Sequence, residues 1–346
     1  MGTFSNISSI FSDIAASLRS KMGTQDTFLP SEMAGAVNNI PTGGGAIEIT
    51  SGKLTNDFNV PVNIADNITN MMGCFIDCTN FNQPVNIPNS VTSMNQCFMN
   101  CWSFNQPIDI PDSVTDMAYC FYWCNNFNQP ITIPDNVMKI SECFNSCIAF
   151  NQPITIPNNV TSMGGTFNNC TNFNQPVNIG NNVTYMANCF YNCYNFNQPV
   201  NIGNNVTNMM NCFLRCNHFN QPVNISDSVT ILANCFKSCT SFNQPVNIGN
   251  SVTNMVSCFY WCSNFGHNIY FNNSSNIIQT NTKSMFYGMN NSLQKNIWCD
   301  NATPFLGTAA SNSIIGSSIT WTAMTDGNGY YNTTYNIYIY NNWSPS

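Results

Sequence analysis

The sequence predicts a repeat solenoid of mixed helical and strand structure (α+β), and two observations carry this prediction. Eight copies of the tetrapeptide F-N-Q-P recur along the chain. An interval of 23 residues also separates ten phenylalanines without an insertion: Phe58, Phe81, Phe104, Phe127, Phe150, Phe173, Phe196, Phe219, Phe242 and Phe265. A unit this short cannot bury its own apolar face, so each turn must stack on its neighbours.

The period divides the chain into three regions. Residues 46–298 form the solenoid, and the repeat is regular over 58–265. Residues 1–45 precede it as a helical attachment module with a Gly-rich linker, because their apolar residues recur at spacings of three and four. Residues 299–346 form a β-rich C-terminal cap, because the turn sequence D-G-N-G stands between two predicted strands.

Each turn of the solenoid is predicted as a strand, a corner and a return segment. In the unit that starts at Phe81, Val85 and Ile87 alternate with a polar residue, as in a short strand with one buried face. A Pro-Asn-Ser corner follows. Apolar residues from Val91 to Cys101 then recur every three to four positions, which favours a helical or 3₁₀ return.

The asparagine of F-N-Q-P is predicted to be structural. In stacked turns its side chain can bond the backbone of the neighbouring turn, which leaves few buried polar groups unpaired. The predicted ladder consists of Asn82, Asn105, Asn128, Asn151, Asn174, Asn197, Asn220 and Asn243.

The cysteines follow the repeat as well. Seventeen of the 18 occur at repeat positions, mostly as C-F-x-x-C pairs, and only Cys299 stands apart. Thr166 replaces one of them, which would strand a disulfide or metal partner but suits a small buried side chain. Zinc also needs four tetrahedral ligands, which two thiol rows without a spaced histidine offer poorly. We therefore expect packing thiols, and neither a metal nor a cofactor. The alternatives are that some pairs form disulfides or that they bind a metal.

These motifs resemble those of a known family. The unit C-F-x-x-C-x-x-F-x-x-x-V-x-I-P-x-S-V-T-x-M is similar to the BspA-like (treponemal) leucine-rich repeat, which has the same period. The F-N-Q-P element is similar to a second bacterial and mycoplasmal surface-protein repeat, and together the two likenesses cover about residues 56 to 290. The resemblance implies a right-handed, leucine-rich-repeat-like solenoid with an interaction surface, since family members are mostly cell-surface or secreted adhesins. Phenylalanine for the usual leucine and cysteine for the usual alanine alter the packing and leave the expected fold unchanged.

A second resemblance concerns residues 1–45. Their pattern D-I-A-A-S-L-R-S-K-M-G-T, followed by L-P-S-E-M-A-G-A-V-N-N-I-P, is similar to the short helical module at the head of tail and baseplate proteins of phages that infect Gram-positive hosts. The start of the chain lacks the charged and apolar regions of an export signal. Both observations favour attachment to a virion through residues 1–45. The alternative interpretation of this segment is a helical cap over the first turn.

Aromatic residues gather where the repeat varies, inside and just after C-F-x-x-C. Exposed rings beside amide side chains can hold sugars by stacking on their apolar faces. Packing between turns or subunits is the competing interpretation. The predicted receptor or glycan residues are Trp102, Tyr122, Trp123, Tyr191, Tyr194, Tyr260 and Trp261.

Composition and motifs argue against several function classes. Only 7% of residues are charged and the net charge is −7, so a basic footprint for nucleic acid is missing. No apolar run approaches the roughly 18 residues that span a bilayer. Asp112 and Asp135 occupy the same corner of adjacent turns, at a separation that would suit a retaining glycosidase, but aspartate is also an ordinary turn residue. We therefore expect no enzyme and no catalytic residue.

The sequence thus favours a structural protein of a phage tail or baseplate, made in the host cytoplasm. Its expected partners are other virion proteins and a host cell-surface glycan or protein receptor, and a homo-oligomer is compatible with this interpretation. One alternative is a virion decoration component that binds no receptor. The other is a bacterial BspA-like adhesin on the cell surface.

Overall fold

The chain winds into a β-solenoid whose turns lie in register. A computed structural model describes residues 47–49, 54 and 58–341. An unbroken row of eight parallel backbone bridges links nine residues, each 23 apart from the next: Asn70, Ser93, Asp116, Lys139, Ser162, Tyr185, Asn208, Ile231 and Asn254. Residues at equivalent positions of successive turns therefore form straight rows. The predicted helical module, residues 1–45, lies outside the described residues.

The strands are short, and most of them pair in parallel. Their bounds are β1 (Ile47–Ile49), β2 (Val62–Ile64), β3 (Ile154–Thr155), β4 (Val177–Asn178), β5 (Val223–Asn224), β6 (Val246–Ile248), β7 (Asn268–Phe271), β8 (Lys295–Trp298), β9 (Thr322–Ala323), β10 (Gly329–Asn332) and β11 (Ile337–Tyr340). β1 pairs with β2, β3 pairs with β4, and the remaining seven form one sheet in the order β5-β6-β7-β8-β11-β10-β9. Turns without a regular strand keep the buried, exposed, buried alternation, as at Val85, Asn86 and Ile87.

The prediction of a helical or 3₁₀ return segment is wrong for the regular turns. Gln96 and Asn100 have φ of 55° and 63°, in the left-handed region. Two such residues, four positions apart in the return segment of a turn, interrupt a right-handed helix. Backbone N–H groups instead alternate between two acceptors. Phe98 N–H donates to the Cys120 carbonyl of the next turn at 2.8 Å, and Cys101 N–H donates to the Phe98 carbonyl at 3.0 Å. Each return is therefore a chain of tight turns held by the neighbouring coil. Among the described residues the helices are two short 3₁₀ segments, Gln279–Thr282 and Thr303–Phe305.

Stacked phenylalanines form the core. The ring of Phe98 lies 5.5 Å from that of Phe121 in the next turn, with planes 2° apart, and 4.5 Å from that of Phe104 in its own turn. All three side chains have no exposed surface. The two phenylalanines of each unit thus form two adjacent columns of stacked rings. These columns bury the apolar surface that a single turn could not bury alone.

The cysteines are buried beside these columns. The thiol of Cys101 donates to the Phe75 carbonyl at 3.0 Å, and the equivalent thiols repeat this bond along the row. Burial raises the pKa of the Cys74 thiol to about 12, so it stays protonated and unreactive at neutral pH. Thr166 fills the cysteine position without an unpaired hydroxyl, because its Oγ1 donates to the Ile140 and Met163 carbonyls.

The F-N-Q-P asparagines bridge successive turns. The Asn82 Oδ1 accepts the Asn105 backbone N–H at 2.9 Å, and Asn105 Oδ1 accepts Asn128 N–H at the same distance. The glutamine that follows also reaches back one turn, since Gln106 Nε2 donates to Asn82 Oδ1 at 3.1 Å. One side-chain oxygen thereby satisfies two donors of the next turn, for each turn where both bonds form.

The C-terminal part closes the solenoid with a different pattern. β11 pairs in parallel with β8, and β10 then pairs antiparallel with β11. Lys295 is 1% exposed, and its ammonium donates to the carbonyls of Asn290, Leu293 and Tyr335. Burial lowers the pKa of Lys295 to about 8. In the part of the chain that is described, no helix has the length and apolar character required to cross a membrane.

Candidate functional site

Four positions of each turn vary in residue type while the backbone conformation repeats from turn to turn. We define the outer strip as the two residues inside each C-F-x-x-C and the two that follow it, over all turns of the solenoid. Of the predicted aromatic residues on it, Trp102, Trp123, Tyr194 and Trp261 are exposed. Tyr122, Tyr191 and Tyr260 are half-buried. The strip therefore combines a rigid base with protruding rings.

A groove of about 340 Å³ lies along four turns of the outer strip. Trp123 bounds it at one end and Tyr194 at the other, three turns further on. The exposed side chain of Ile148 lies between them. The complete lining is Trp123, Asn125, Ser146, Ile148, Asn169, Thr171, Asn192 and Tyr194. The groove thus joins two aromatic ends through small polar residues and one aliphatic side chain.

The backbone at Trp123 is strained. Its φ is 60°, and the same position in the neighbouring turns is held by Asn100, Ser146 and Asn169 at φ of 63°, 60° and 59°. Asparagine tolerates this left-handed conformation, whereas a bulky residue rarely adopts it, and the cost is roughly 1–2 kcal/mol. Trp261 stands in the same position with φ of 58°. Two tryptophans thus occupy costly positions while their rings remain largely exposed, which is typical of function and not of packing.

The groove also contains an unused hydrogen-bond acceptor. Asn192 Nδ2 donates to Asn169 Oδ1 at 2.7 Å, so the orientation of the Asn192 amide is set by the ladder. The Asn192 Oδ1 is buried and accepts no hydrogen bond within the described part of the chain. Because this atom has almost no accessible surface, it is an unpaired acceptor beneath the groove, and a ligand hydroxyl could reach it only if the Asn192 side chain moved.

The two C-F-Y-W-C copies form aromatic platforms. In the first, the rings of Tyr122 and Trp123 lie 6.2 Å apart with planes 3° apart. In the second, the centroids of Tyr260 and Trp261 are 5.9 Å apart, and Tyr287 of the next turn stacks on Tyr260 at 4.7 Å. A side chain at the position after Tyr287 would collide with the Trp261 ring, and glycine occupies it. The second platform thus includes a third ring.

A half-buried carboxyl lies beside the first platform. Glu142 accepts a hydrogen bond from Asn145 Nδ2, and its carboxylate fills the space above Gly165, where a Cβ atom would collide with it. Burial raises the pKa of Glu142, an effect that the Asn145 hydrogen bond only partly offsets. The carboxyl also contributes, after burial, to the raised pKa of Tyr122. Glu142 therefore keeps its proton to a higher pH than an exposed glutamate would.

The groove unites only some of the residues predicted from the sequence. Trp123 and Tyr194 line it, whereas Trp102 and Tyr191 do not. Sequence reasoning missed Ile148 and Asn192. Their positions in the period were the available signal, because Ile148 stands on the row of Tyr194 and Asn192 stands on the row of Trp123.

The corner aspartates considered for catalysis bond the next turn through their backbone carbonyls. Asp112 and Asp135 are both exposed. Their carbonyls accept the side-chain amides of Asn136 and Asn159 at 2.8 and 2.7 Å. Their geometry is that of the other corners.

Comparisons with known proteins identify the repeat and its fold. A family model described as "Mycoplasma protein of unknown function, DUF285" matches residues 55–155, 132–223 and 202–298. The crystal structure of a leucine-rich repeat protein from Bacteroides ovatus superposes with a TM-score of 0.56 over 83% of this chain and 81% of that one, at 18% identity. No curated protein matches the chain. At this identity the structural likeness shows the fold alone, and it confirms the prediction of a leucine-rich-repeat-type solenoid.

Proposed function

The chain belongs to the DUF285 family, and from this premise we propose that it is a binding protein without enzymatic activity that holds a glycan in the groove between Trp123 and Tyr194. The groove is the observation that carries this proposal. Its volume of about 340 Å³ lies within the range of sites for small organic ligands, roughly 300–1,000 Å³.

The chemistry of the lining fits a sugar better than a fully apolar ligand. The ring of Trp123 can stack on the apolar face of a pyranose, and Tyr194 offers the same contact three turns away. Amides and hydroxyls between the two rings, such as those of Asn125, Ser146 and Thr171, can bond the equatorial hydroxyls of the sugar. The lining includes no carboxylate that could serve as a general acid or base.

The replacement Trp123→Asn tests this proposal directly. Asparagine holds the same position and the same φ in other turns, so the variant should fold as the original chain does. Binding of the full-length protein to an array of cell-surface oligosaccharides should fall at least tenfold, since the stacking of a sugar on an aromatic side chain is lost.

Tyr185→Ser provides the matched control. Tyr185 is an exposed aromatic residue on the bridge row, away from the groove, and Ser93 and Ser162 hold its position in other turns. We expect glycan binding of this variant to be unchanged. Equal binding by the original chain and the Trp123→Asn variant would falsify the groove as the site.

The location of the protein is a separate part of the proposal. We propose that residues 1–45 attach the solenoid to a phage tail or baseplate, supported by the resemblance of their sequence to such modules. A version that starts at residue 46 should fail to enter purified virions, whereas the full chain enters them. Recovery of both versions from a bacterial cell surface, and of neither from virions, would favour the adhesin alternative.

A further inference from the structure

The charges along the outer strip are unlike those of the whole chain. The net charge is −7, yet from Tyr122 to Asn264 the strip contains Arg215 and Lys237 and no carboxylate. Arg215 is exposed, and among the described residues the ion pair lies elsewhere, between Lys139 and Asp116. An acidic protein thus presents a positive segment beside its aromatic groove.

The two cations lie between the groove and the second platform. Along the outer strip, the turn of Tyr194 is followed by the turn of Arg215, then by that of Lys237, and then by that of Tyr260 and Trp261. The Lys237 ammonium lies 4.5 Å from the centre of the Tyr260 ring, so it joins the platform. The Arg215 N–H donates to the Lys237 carbonyl at 2.8 Å, and this bond keeps the two turns adjacent.

Arg215 also occupies a costly backbone position. Its φ is 60°, at the position that Trp123 and Trp261 hold in their turns, where asparagine would be less strained. The three least suitable side chains in this row are therefore one cation and two exposed tryptophans. A shared strain at three exposed side chains is consistent with a shared ligand.

The dimensions of the row require a long ligand. Six turns separate Trp123 from Trp261, and at roughly 4.8 Å per turn the two tryptophans are about 29 Å apart. A monosaccharide or a short fragment cannot contact both ends, whereas a polymer can.

We propose that the ligand of the outer strip is an anionic polysaccharide that lies along the solenoid from the Trp123 groove, past Arg215 and Lys237, to the platform of Tyr260 and Trp261. This inference rests on the proposed glycan-binding function and specifies its ligand. The rings contact the apolar faces of the sugars, and the two cations contact the carboxylate or phosphate groups of the polymer. The simultaneous contacts of one chain with both platforms add avidity.

The experiment compares three polymers on the immobilised full-length protein. The probes are polygalacturonate, which has carboxylates, a phosphorylated dextran, and neutral dextran, each measured in 0.05 M and 0.5 M salt. At least one anionic polymer should bind tenfold more tightly than dextran at low salt, and the added salt should remove most of that difference. The anionic polymer that binds more tightly identifies the charged group. Its long chains should also bind at least tenfold more tightly than its short fragments.

Substitutions separate the two cations from charge in general. The double variant Arg215→Asn and Lys237→Asn uses residues that other turns have at these positions, and it should lower the affinity for the anionic polymer at least tenfold. The control Lys139→Ser removes a cation from the bridge row, where Ser93 and Ser162 stand, and should change the affinity less than twofold. Circular dichroism and thermal unfolding verify that both variants fold.

The outcomes distinguish this inference from the function on which it rests. Equal, salt-independent binding of dextran and both anionic polymers would overturn the anionic ligand and leave glycan binding intact. An equal loss of affinity in the Lys139→Ser variant would overturn the role of Arg215 and Lys237. Absence of binding to all three polymers and to the oligosaccharide array would overturn both proposals.

Discussion

The interior rows and the outer strip share one backbone and differ in how far their side chains vary. Inside, successive turns have phenylalanine at the same two positions, and these side chains have no exposed surface from Phe75 to Phe265. Outside, one position of the strip holds aspartate, asparagine, tryptophan, serine, arginine or glycine in different turns. Since φ at that position stays between 58° and 71° throughout, differences in backbone conformation do not explain this variation. The repeat therefore specifies the fold, and departures from it on the outside indicate binding.

The largest expected effect is the loss of an interior ring. Phe144 lies 5.6 Å and 5.8 Å from the rings of the adjacent turns and is fully buried. The replacement Phe144→Ala should lower the free energy of unfolding by roughly 3–5 kcal/mol, because it removes apolar contacts and leaves a cavity in the column. Urea denaturation followed by circular dichroism measures the change. A loss below about 1 kcal/mol would contradict the view that these columns hold the turns together.

The asparagine ladder should show an intermediate effect. Asn151 Oδ1 accepts the backbone N–H of Asn174, so Asn151→Ala leaves this partly buried donor without its partner. We expect a loss of roughly 1–3 kcal/mol by the same denaturation assay. Asn158 Oδ1 makes the same kind of bond to Asn181 N–H at an exposed corner, where water can replace it. The control Asn158→Ala should therefore cost clearly less.

The fold was accessible from the sequence because its signal is repeated. The 23-residue period, the alternation at Val85 and Ile87 and the position of the F-N-Q-P asparagine all follow from residue types that recur in every turn. The helical return segment was a wrong prediction, because spacings of three and four also arise from successive tight turns. Only the left-handed φ at positions such as Gln96 distinguishes the two structures, and many residue types occupy that position.

The candidate site was less accessible because it lies across turns. The aromatic positions were visible in the sequence, and two of them line the groove. Ile148 and Asn192 have no distinctive type or spacing, so only the stacking of four turns brings them together between Trp123 and Tyr194. The burial of Lys295 was missed for a related reason, because its acceptors come from two separate parts of the chain. Two are carbonyls of the loop before β8, and the third is the carbonyl of Tyr335.

A third prediction concerns stability on the outer strip. In the Trp123→Asn variant, relief of backbone strain should contribute roughly 1–2 kcal/mol, while the lost stacking on Tyr122 costs roughly 0.5–1.5 kcal/mol. The free energy of unfolding should therefore change by less than about 1 kcal/mol, although the replaced side chain is larger than Phe144. A decrease comparable to that of Phe144→Ala would mean that Trp123 is part of the core.

The smallest expected effect concerns Glu142, which lies beside the outer strip and is half-buried. Burial raises its pKa in the folded protein above the ordinary value of 4.5, so between these two pKa values the folded state binds more protons than the unfolded state. Stability contributed by this group is present below pH 4.5 and is lost as the pH rises through the folded pKa. Glu142→Gln retains an acceptor for Asn145 and has no such transition. It should therefore unfold at a higher temperature than the original chain at pH 7.

The test is the difference between the two thermal unfolding curves across pH 3.5 to 8, since the other titrating groups then cancel. The advantage of Glu142→Gln should appear as the pH rises above the ordinary glutamate pKa and should become constant at neutral pH. Asp109→Asn is the control for the loss of a carboxylate, because Asp109 is exposed on a different row. A lower unfolding temperature for Glu142→Gln at pH 7 would instead indicate that hydrogen bonds to the ionised carboxylate outweigh its burial, and that Glu142 behaves as an outer residue after all.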